Sequence, residues 1–347
     1  MKLSFRGWLT LVTLVLLTIV VIAAWPEIMK AWGLLGQVNW YILLLLIPVQ
    51  LASYYATGGM IFSYLRAKGN LEDVSHWSMT RMALELNFVN HILPSGGAAG
   101  FSYLAWVLSR YKVSVSRSTM AQIIRFVLTF LSFVVLLVVA IIILALTGHL
   151  ERATIFIAIG LVIAAVGGTA ILIWLVKSNQ RLQRFSVWVT KTINRFIRWI
   201  TRGKKRVVVH EKLFLEFFQG LHDDYLSIRR ERKILVTPFI WALIANILDV
   251  ALLWVAFWAL GYTIDAPLLF VAFGVASIAS AVSVTPGGAG VYEAIMVAFL
   301  ATSGVTPDVA IAGTLLARVT LLGGTIAFGY IFYQLRLNKY GQRPAER

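Results

Sequence analysis

Cysteine is absent from this sequence of 347 residues. That excludes disulfides, thiol nucleophiles and every zinc or iron–sulfur site built on thiolates. Charge is scarce as well: only 13% of residues are charged, against 59% hydrophobic. This balance lies far outside that of soluble globular domains. Acidic residues are the scarcest charged class, 15 against 31 Lys and Arg, so the net charge is +16. The five histidines, His76, His91, His149, His210 and His222, form no His-Glu-x-x-His pattern, and no phosphate-binding glycine loop of the nucleotidase type occurs. His222, Asp223 and Asp224 read as a solvated helix face rather than a metal site. No metal and no cofactor is expected.

Several apolar runs reach the roughly 20 residues that cross a bilayer. The expected class is therefore an all-α polytopic membrane protein, with residues 1–347 forming a single integral membrane domain. In a soluble chain a charge of +16 would point to nucleic acid. Here it reads as the Lys and Arg excess of cytoplasmic loops, and no nucleic-acid partner is expected. Lys2 and Arg6 precede an apolar run with no small-x-small cleavage site after it. We read it as an uncleaved first helix over about 8–25, with the N-terminus inside. A short loop with Glu27 and Lys30 follows. Further long helices are expected over about 39–65, 118–147, 153–176, 235–260 and 308–334, with a basic segment over 177–233.

Two stretches interrupt this apolar pattern in the same way. Leu93 to Ala105 reads LPSGGAAGFSYLA, and Val284 to Ile295 reads VTPGGAGVYEAI. Pro94, Ser95, Gly96, Gly97 and Gly100 mark the first; Thr285, Pro286, Gly287, Gly288 and Gly290 mark the second. If both regions are hairpins that return to the side they entered from, the inside loops and tails collect 26 of the 31 Lys and Arg residues. That agrees with the positive-inside rule. The first hairpin then dips from inside and the second from outside. Residues 39–147 and 235–334 become two inverted-topology repeats, each with a re-entrant broken-helix hairpin. Both termini are cytoplasmic. Pro94 precedes Arg125 by 31 residues and Pro286 precedes Arg318 by 32.

Broken backbone at membrane depth survives only where protein or water covers it. Paired broken segments in two halves point to a transport site near the midplane, with helix N-termini that favour anions. Close helix packing explains the glycines but not the prolines or the matched arginines.

Six ionisable residues fall at membrane depth: Arg81, Glu85, Arg125, Asp249, Glu293 and Arg318. Each costs roughly 2.5–3.5 kcal/mol there on insertion scales, so they should face inward and pair. Arg81 and Glu85 share a helix face. Glu293 either compensates a helix N-terminus or contacts a headgroup. Arg125 and Arg318 are the best ligands for an anionic headgroup, because a guanidinium matches phosphate. The alternative is a buried salt bridge of either with Asp249 or Glu293. Asn87, Asn90, His91 and Asn246 add polar groups, and His91 reads as a satisfied buried histidine rather than a proton carrier.

In the basic segment, Leu182, Phe185, Val189, Ile193, Phe196 and Ile200 form an apolar stripe, with Arg184, Lys191, Arg195, Arg198 and Arg202 mostly off it. This predicts an amphipathic helix on the anionic inner leaflet surface. A second amphipathic helix is expected through Phe214, Phe218, Leu221, Tyr225 and Ile228.

The motifs LPSGGAAGFSYL and TPGGAGVYEA, with the helix arrangement around them, resemble the lysylphosphatidylglycerol synthase transmembrane family, over about 8–335. By that resemblance Pro286, Gly287, Gly288, Gly290 and Glu293 match the family's motif positions. The resemblance implies a lipid flippase for aminoacylated phosphatidylglycerol or related lipids. The last helix ends about a dozen residues before the end of the sequence, so a stand-alone member without the aminoacyl transferase domain is expected. Stand-alone relatives handle other phospholipids or polyprenyl-phosphate-linked lipids in this reading.

The leading expectation is a transporter, not an enzyme, that moves an anionic or aminoacylated lipid headgroup through a polar cavity between the repeats. An intramembrane lipid-modifying transferase is one alternative. A non-transporting partner of a lipid synthase or glycosyltransferase is another. The expected location is a bacterial-type cytoplasmic (inner) membrane. Membrane lipids are the expected partners, and a homodimer is left open.

Overall fold

The computed structural model describes residues 38–92, 98–148, 152–200, 211–282 and 288–340, together with Val15, Thr18, Ile22, residues 25–34 and Gly36. The described residues are helical throughout, without a strand. The helices are α1 (Trp25–Leu34), α2 (Trp40–Ala67), α3 (His76–Ile92), α4 (Ala98–Ser109), α5 (Val115–Leu146) and α6 (Arg152–Val176). They continue with α7 (Asn179–Ile200), α8 (Glu211–Arg230), α9 (Val236–Ala259), α10 (Ala266–Val282), α11 (Val291–Thr302) and α12 (Pro307–Tyr340). A 3-10 turn, Arg232–Leu235, leads directly into α9.

Local chemistry sets the ends. The Asn39 side chain accepts from the N–H groups of Tyr41 and Ile42 and starts α2. The Ser114 side chain accepts from Arg117 N–H and starts α5, whose 32 residues contain neither Gly nor Pro. That composition allows one unbroken helix. α9 stops at Gly261, with φ of 85°, where Tyr262 N–H reaches back to the Phe257 carbonyl at 3.0 Å. This closure needs the left-handed residue that glycine supplies most cheaply.

Among the described residues five helices are long and apolar enough to cross a membrane: Trp40–Ala67, Val115–Leu146, Arg152–Val176, Arg232–Ala259 and Pro307–Lys339. α3, α4, α10 and α11 are shorter. The 12 residues of α4 or α11 rise about 18 Å, well under the roughly 30 Å of a hydrocarbon core. The lengths recur along the chain. A 28-residue span, a 17-residue helix, a 12-residue helix and a 32-residue helix make up residues 40–146. The corresponding lengths from 232 to 340 are 28, 17, 12 and 34.

The two series interlock. α2 and α9 share the most extensive helix contact. It is close because Gly59 lacks a side chain: a Cβ there would lie 2.6 Å from the Trp241 ring. α3 packs on α12 while α10 packs on α5, so the 17-residue helix of each series lies against the last long helix of the other. One buried cluster, with Tyr64, Phe88 and Leu104, gathers around α2, α3, α4 and α12. A second, with Phe133, Phe257 and Met296, gathers around α5, α9, α10 and α11.

One end of the assembly carries α8. There Arg117 bonds Asn70 at 3.1 Å and Asp224 at 3.4 Å, Lys68 bonds Ser227, and His222 Nδ1 lies 3.1 Å from the Val176 carbonyl. At the other end Asn39 N–H donates to the Ala259 carbonyl at 2.8 Å.

Three sequence expectations change. Glu27 and Lys30 lie in helix α1 rather than a loop; most of the expected helix over 8–25 falls outside the described residues. The last helix runs to Tyr340 rather than 334. The apolar stripe of the basic segment begins by packing on protein rather than lipid. Leu182 is buried, and Phe185 stands edge-on to Phe218 of α8 with ring centroids 5.9 Å apart.

Candidate functional site

α2, α3, α5, α9 and α12 surround a cavity of about 330 Å3. Each helix brings its polar residues there from well inside its length. Arg125 is the eleventh residue of α5, Asp249 the fourteenth of α9 and Arg318 the twelfth of α12. Asn87 and His91 reach it from α3, and Asn246 joins Asp249 from α9. Of the ionisable residues singled out in the sequence, Arg125, Asp249, Arg318 and His91 line this one cavity.

Their pairing differs from the expectation in detail. Arg318 forms the anticipated ion pair with Glu293, Nε to Oε1 at 2.7 Å, and lies over the Tyr292 ring at 4.7 Å. The other Glu293 oxygen accepts from Gly290 N–H at 2.6 Å. Gly290 is the N-cap of α11, with φ of 83°. Glu293 thus fills both of its candidate structural roles, capping a helix and neutralising an arginine.

Arg125 has no such partner. Among the described residues no carboxylate pairs with it. Its Nε is buried without an acceptor, and its guanidinium lies 4.7 Å from the Phe126 ring centroid. Asp249 also lacks a cation among the described residues; its Oδ1 accepts from Ser53 Oγ at 2.6 Å. The expected bridge of either arginine to Asp249 does not form.

Hydroxyls and amides complete the wall. Gln50 Nε2 donates to Tyr54 Oη and to the Leu321 carbonyl, both at 2.9 Å, and Tyr54 is bonded to Thr325. Asn246 Nδ2 donates to the Thr129 carbonyl at 3.1 Å and to Ser132 Oγ at 2.6 Å, joining α9 to α5. His91 Nδ1 is 2.8 Å from the Asn87 carbonyl, consistent with a satisfied histidine. Sequence reasoning missed Gln50, Ser53, Tyr54 and Thr57. Their spacing of 0, 3, 4 and 7 puts a polar stripe on one face of an apolar helix, a legible signal.

Three nominated residues lie elsewhere. Glu85 is buried between α3, α4 and α12, where it accepts from Tyr103 Oη at 2.7 Å and pairs with Arg336. Arg81 shares the Glu85 side of α3 but stacks on Phe332 at 4.7 Å. The expected Arg81–Glu85 pair gives way to Arg336 because α12 continues past 334. Asn90 faces Gly100, where a Cβ would lie 2.2 Å from its Oδ1, and so serves the contact of α3 with α4. Of the glycine motifs, Gly100, Gly288 and Gly290 are described. Gly288 has φ of 70°, and a Cβ there would lie 2.3 Å from Ser280 Cβ. Pro94, Ser95, Gly96, Gly97, Thr285, Pro286 and Gly287 lie outside the described residues.

The described residues contain no cluster of three or more His, Asp or Glu that could hold a metal ion. Chemically the cavity offers a guanidinium and a carboxylate, neither with a counter-ion among the described residues, together with hydrogen-bonding amides and hydroxyls. Such a wall binds and orients a polar guest in an apolar surround.

Two relatives, both described as "UPF0104 membrane protein" from Methanothermobacter thermautotrophicus, are similar to the chain. One is 24% identical over 262 residues, covering 70% of this chain and 75% of the relative. The other is 24% identical over 258 residues, covering 70% and 71%. No solved structure matches. The family model described as "Lysylphosphatidylglycerol synthase TM region" matches residues 8–329. With its long apolar helices and a match over almost its whole length, the chain is a multi-pass membrane protein that belongs to the lysylphosphatidylglycerol synthase TM region family.

Proposed function

We propose that this protein moves a phospholipid headgroup, or a related lipid-phosphate headgroup, across the bilayer through the cavity between α2, α3, α5, α9 and α12. The observation that carries the reading is Arg125: a guanidinium without a carboxylate partner among the described residues, lining a polar cavity in the middle of long apolar helices. An arginine at that depth costs roughly 2.5–3.5 kcal/mol on insertion scales and marks a substrate path by default. Its planar fork matches a phosphate. Arg318 contributes when its pair with Glu293 opens.

Residues 40–146 and 232–340 are, in this reading, inverted repeats, with α3–α4 and α10–α11 as hairpins entering from opposite faces. The recurring helix lengths and the reciprocal packing of α3 on α12 and α10 on α5 support it. α8 and the basic segment then lie on the cytoplasmic side. The headgroup crosses in the cavity while its acyl chains remain in lipid, and rocking of the halves alternates access.

The test uses the full chain in phospholipid vesicles, with a fluorescent-headgroup phospholipid and an impermeant quencher. Exchange should exceed that of protein-free vesicles, and Arg125→Gln should slow it at least tenfold. Wild-type rates in Arg125→Gln would remove the arginine from the path. Recovery of a chemically altered lipid would replace transport with a transferase reaction.

A further inference from the structure

A second pocket, of about 530 Å3, lies between α2, α3 and the turn that leads into α9. α2 separates it from the cavity above. Gln50, Ser53, Tyr54 and Thr57 of α2 line that cavity, whereas Tyr55, Gly58, Gly59, Phe62 and Arg66 line this pocket. At the helical repeat these two sets lie on roughly opposite faces of α2. Arg66 stands at the mouth, next to the α8 end of the assembly. It donates to the carbonyls of Leu71 at 3.4 Å and Val74 at 2.6 Å, and its Nη1 lies 3.1 Å from His76 Nε2. An arginine can only donate, so His76 accepts there as the neutral ring, and its Nδ1–H faces Tyr55 Oη at 3.2 Å. These partners hold the guanidinium without neutralising it. Lys233 lines the same mouth, and among the described residues no carboxylate pairs with either cation. Glu231 is the acid among the described lining residues, so two cations against one carboxylate leave one net positive charge. The far end is apolar. Trp241 lies on Gly59 and stands edge-on to Tyr55 with ring centroids 5.3 Å apart, and Phe62 and Met79 line the sides. Tyr55 lies three turns from Arg66, about 16 Å along the helix. That is close to one leaflet, half of a hydrocarbon core of roughly 30 Å.

We propose that this pocket holds a resident anionic phospholipid of the α8-side leaflet, its phosphodiester on Arg66 and Lys233 and one acyl chain along Phe62 and Trp241, outside the transport path. A cationic mouth at a helix end and an apolar slot one leaflet deep match such a lipid in charge and in length. The bound lipid bridges α2 and α3 of the first series to the start of α9 in the second. The inference goes beyond the transport reading and needs only the placement of α2 across the membrane. The shared recognition chemistry is a phosphodiester, whether borne by a lipid or by a soluble glycerophosphodiester.

The test uses the full-length protein in an uncharged detergent. The probe is a phosphatidylglycerol with a photoactivatable diazirine near the end of one acyl chain, and mass spectrometry locates its adducts. Labelling at Phe62, Met79 or Trp241 should saturate with probe concentration. Unlabelled phosphatidylglycerol should compete at least about tenfold better than diacylglycerol, the size of one charge-assisted hydrogen bond. Arg66→Gln should weaken the probe about tenfold and Lys233→Gln about threefold. Labelling that does not saturate, as on any lipid-facing helix, overturns the inference. So does equal competition by diacylglycerol. Both are read on the wild-type protein, so a misfolded Arg66→Gln does not shelter the proposal. Wild-type affinity in Lys233→Gln overturns the phosphate contact at the mouth. Glycerophosphoglycerol competing as well as the lipid keeps the anion site and overturns the lipid as its source. A loss of this labelling in Arg125→Gln makes the pocket part of the transport path and overturns its separation from it.

Discussion

Glu293→Gln separates two jobs held by one side chain. The carboxylate caps α11 through Gly290 N–H at 2.6 Å and pairs with Arg318 at 2.7 Å. A glutamine at this position still accepts the capping hydrogen bond, but it removes the negative charge that pairs with Arg318. Breaking a buried ion pair by removing one partner costs about 3–5 kcal/mol. The two side chains here are 21% and 12% exposed, so residual solvent screening lowers the figure to about 2–4 kcal/mol. Glu293→Ala removes the cap as well and adds about 1 kcal/mol. Glu293→Gln with Arg318→Gln leaves no unpaired charge and should recover about 1–3 kcal/mol of the loss as coupling. The assay is unfolding in mixed micelles by added anionic detergent, followed by helical circular dichroism and tryptophan fluorescence. A Glu293→Gln midpoint equal to the wild type, or a double variant with strictly additive loss, refutes the assignment of Arg318's charge to Glu293.

Other substitutions probe separate contacts. Gly288→Ala forces φ of 70° on a residue with a side chain and sets its Cβ 2.3 Å from Ser280 Cβ. It should cost about 2–4 kcal/mol in the same unfolding assay. Asn246→Ala removes two hydrogen bonds that join α9 to α5 and should cost about 1–3 kcal/mol. In α8, burial raises the Asp224 carboxyl above its ordinary value, with Arg117 opposing the rise. The folded state therefore binds this proton more readily than the unfolded one. Asp224's contribution is most favourable below its ordinary range and is lost as pH rises through the raised value. Lowering the pH should thus move the melting temperature of the wild type upward relative to Asp224→Asn, as read by paired melts at pH 7 and pH 4.5.

The sequence was most legible where one residue type carries one physical demand. A run without Gly or Pro marked α5, and scarce charges in apolar surroundings had to face inward. Arg81, Glu85, Arg125, Asp249, Glu293 and Arg318 were nominated on that cost, and Arg125, Asp249 and Arg318 share one cavity. Pairing was less legible because it depends on which helices meet. Glu85 takes Arg336 from a helix 251 residues away, a contact hidden by placing the end of α12 six residues early. Arg318 takes Glu293 while Arg125 takes no carboxylate among the described residues, although the spacing from each proline is nearly the same. The difference lies in α4, where no acid faces Arg125 and Phe101 stacks on Phe126 at 5.8 Å. The apolar stripe of α7 was legible as a stripe, but a lipid surface and a neighbouring helix such as α8 ask for the same pattern.

The central claim is that two short helix pairs enter from opposite faces and meet around a cavity that carries a headgroup. Because the chain has no native cysteine, single cysteines placed at Lys112, Arg229, Asp265 and Gly304 report their side of the membrane without background. The account predicts that an impermeant maleimide labels Lys112→Cys and Arg229→Cys from one face, and Asp265→Cys and Gly304→Cys from the other. Labelling of Lys112→Cys and Arg229→Cys from opposite faces would contradict it.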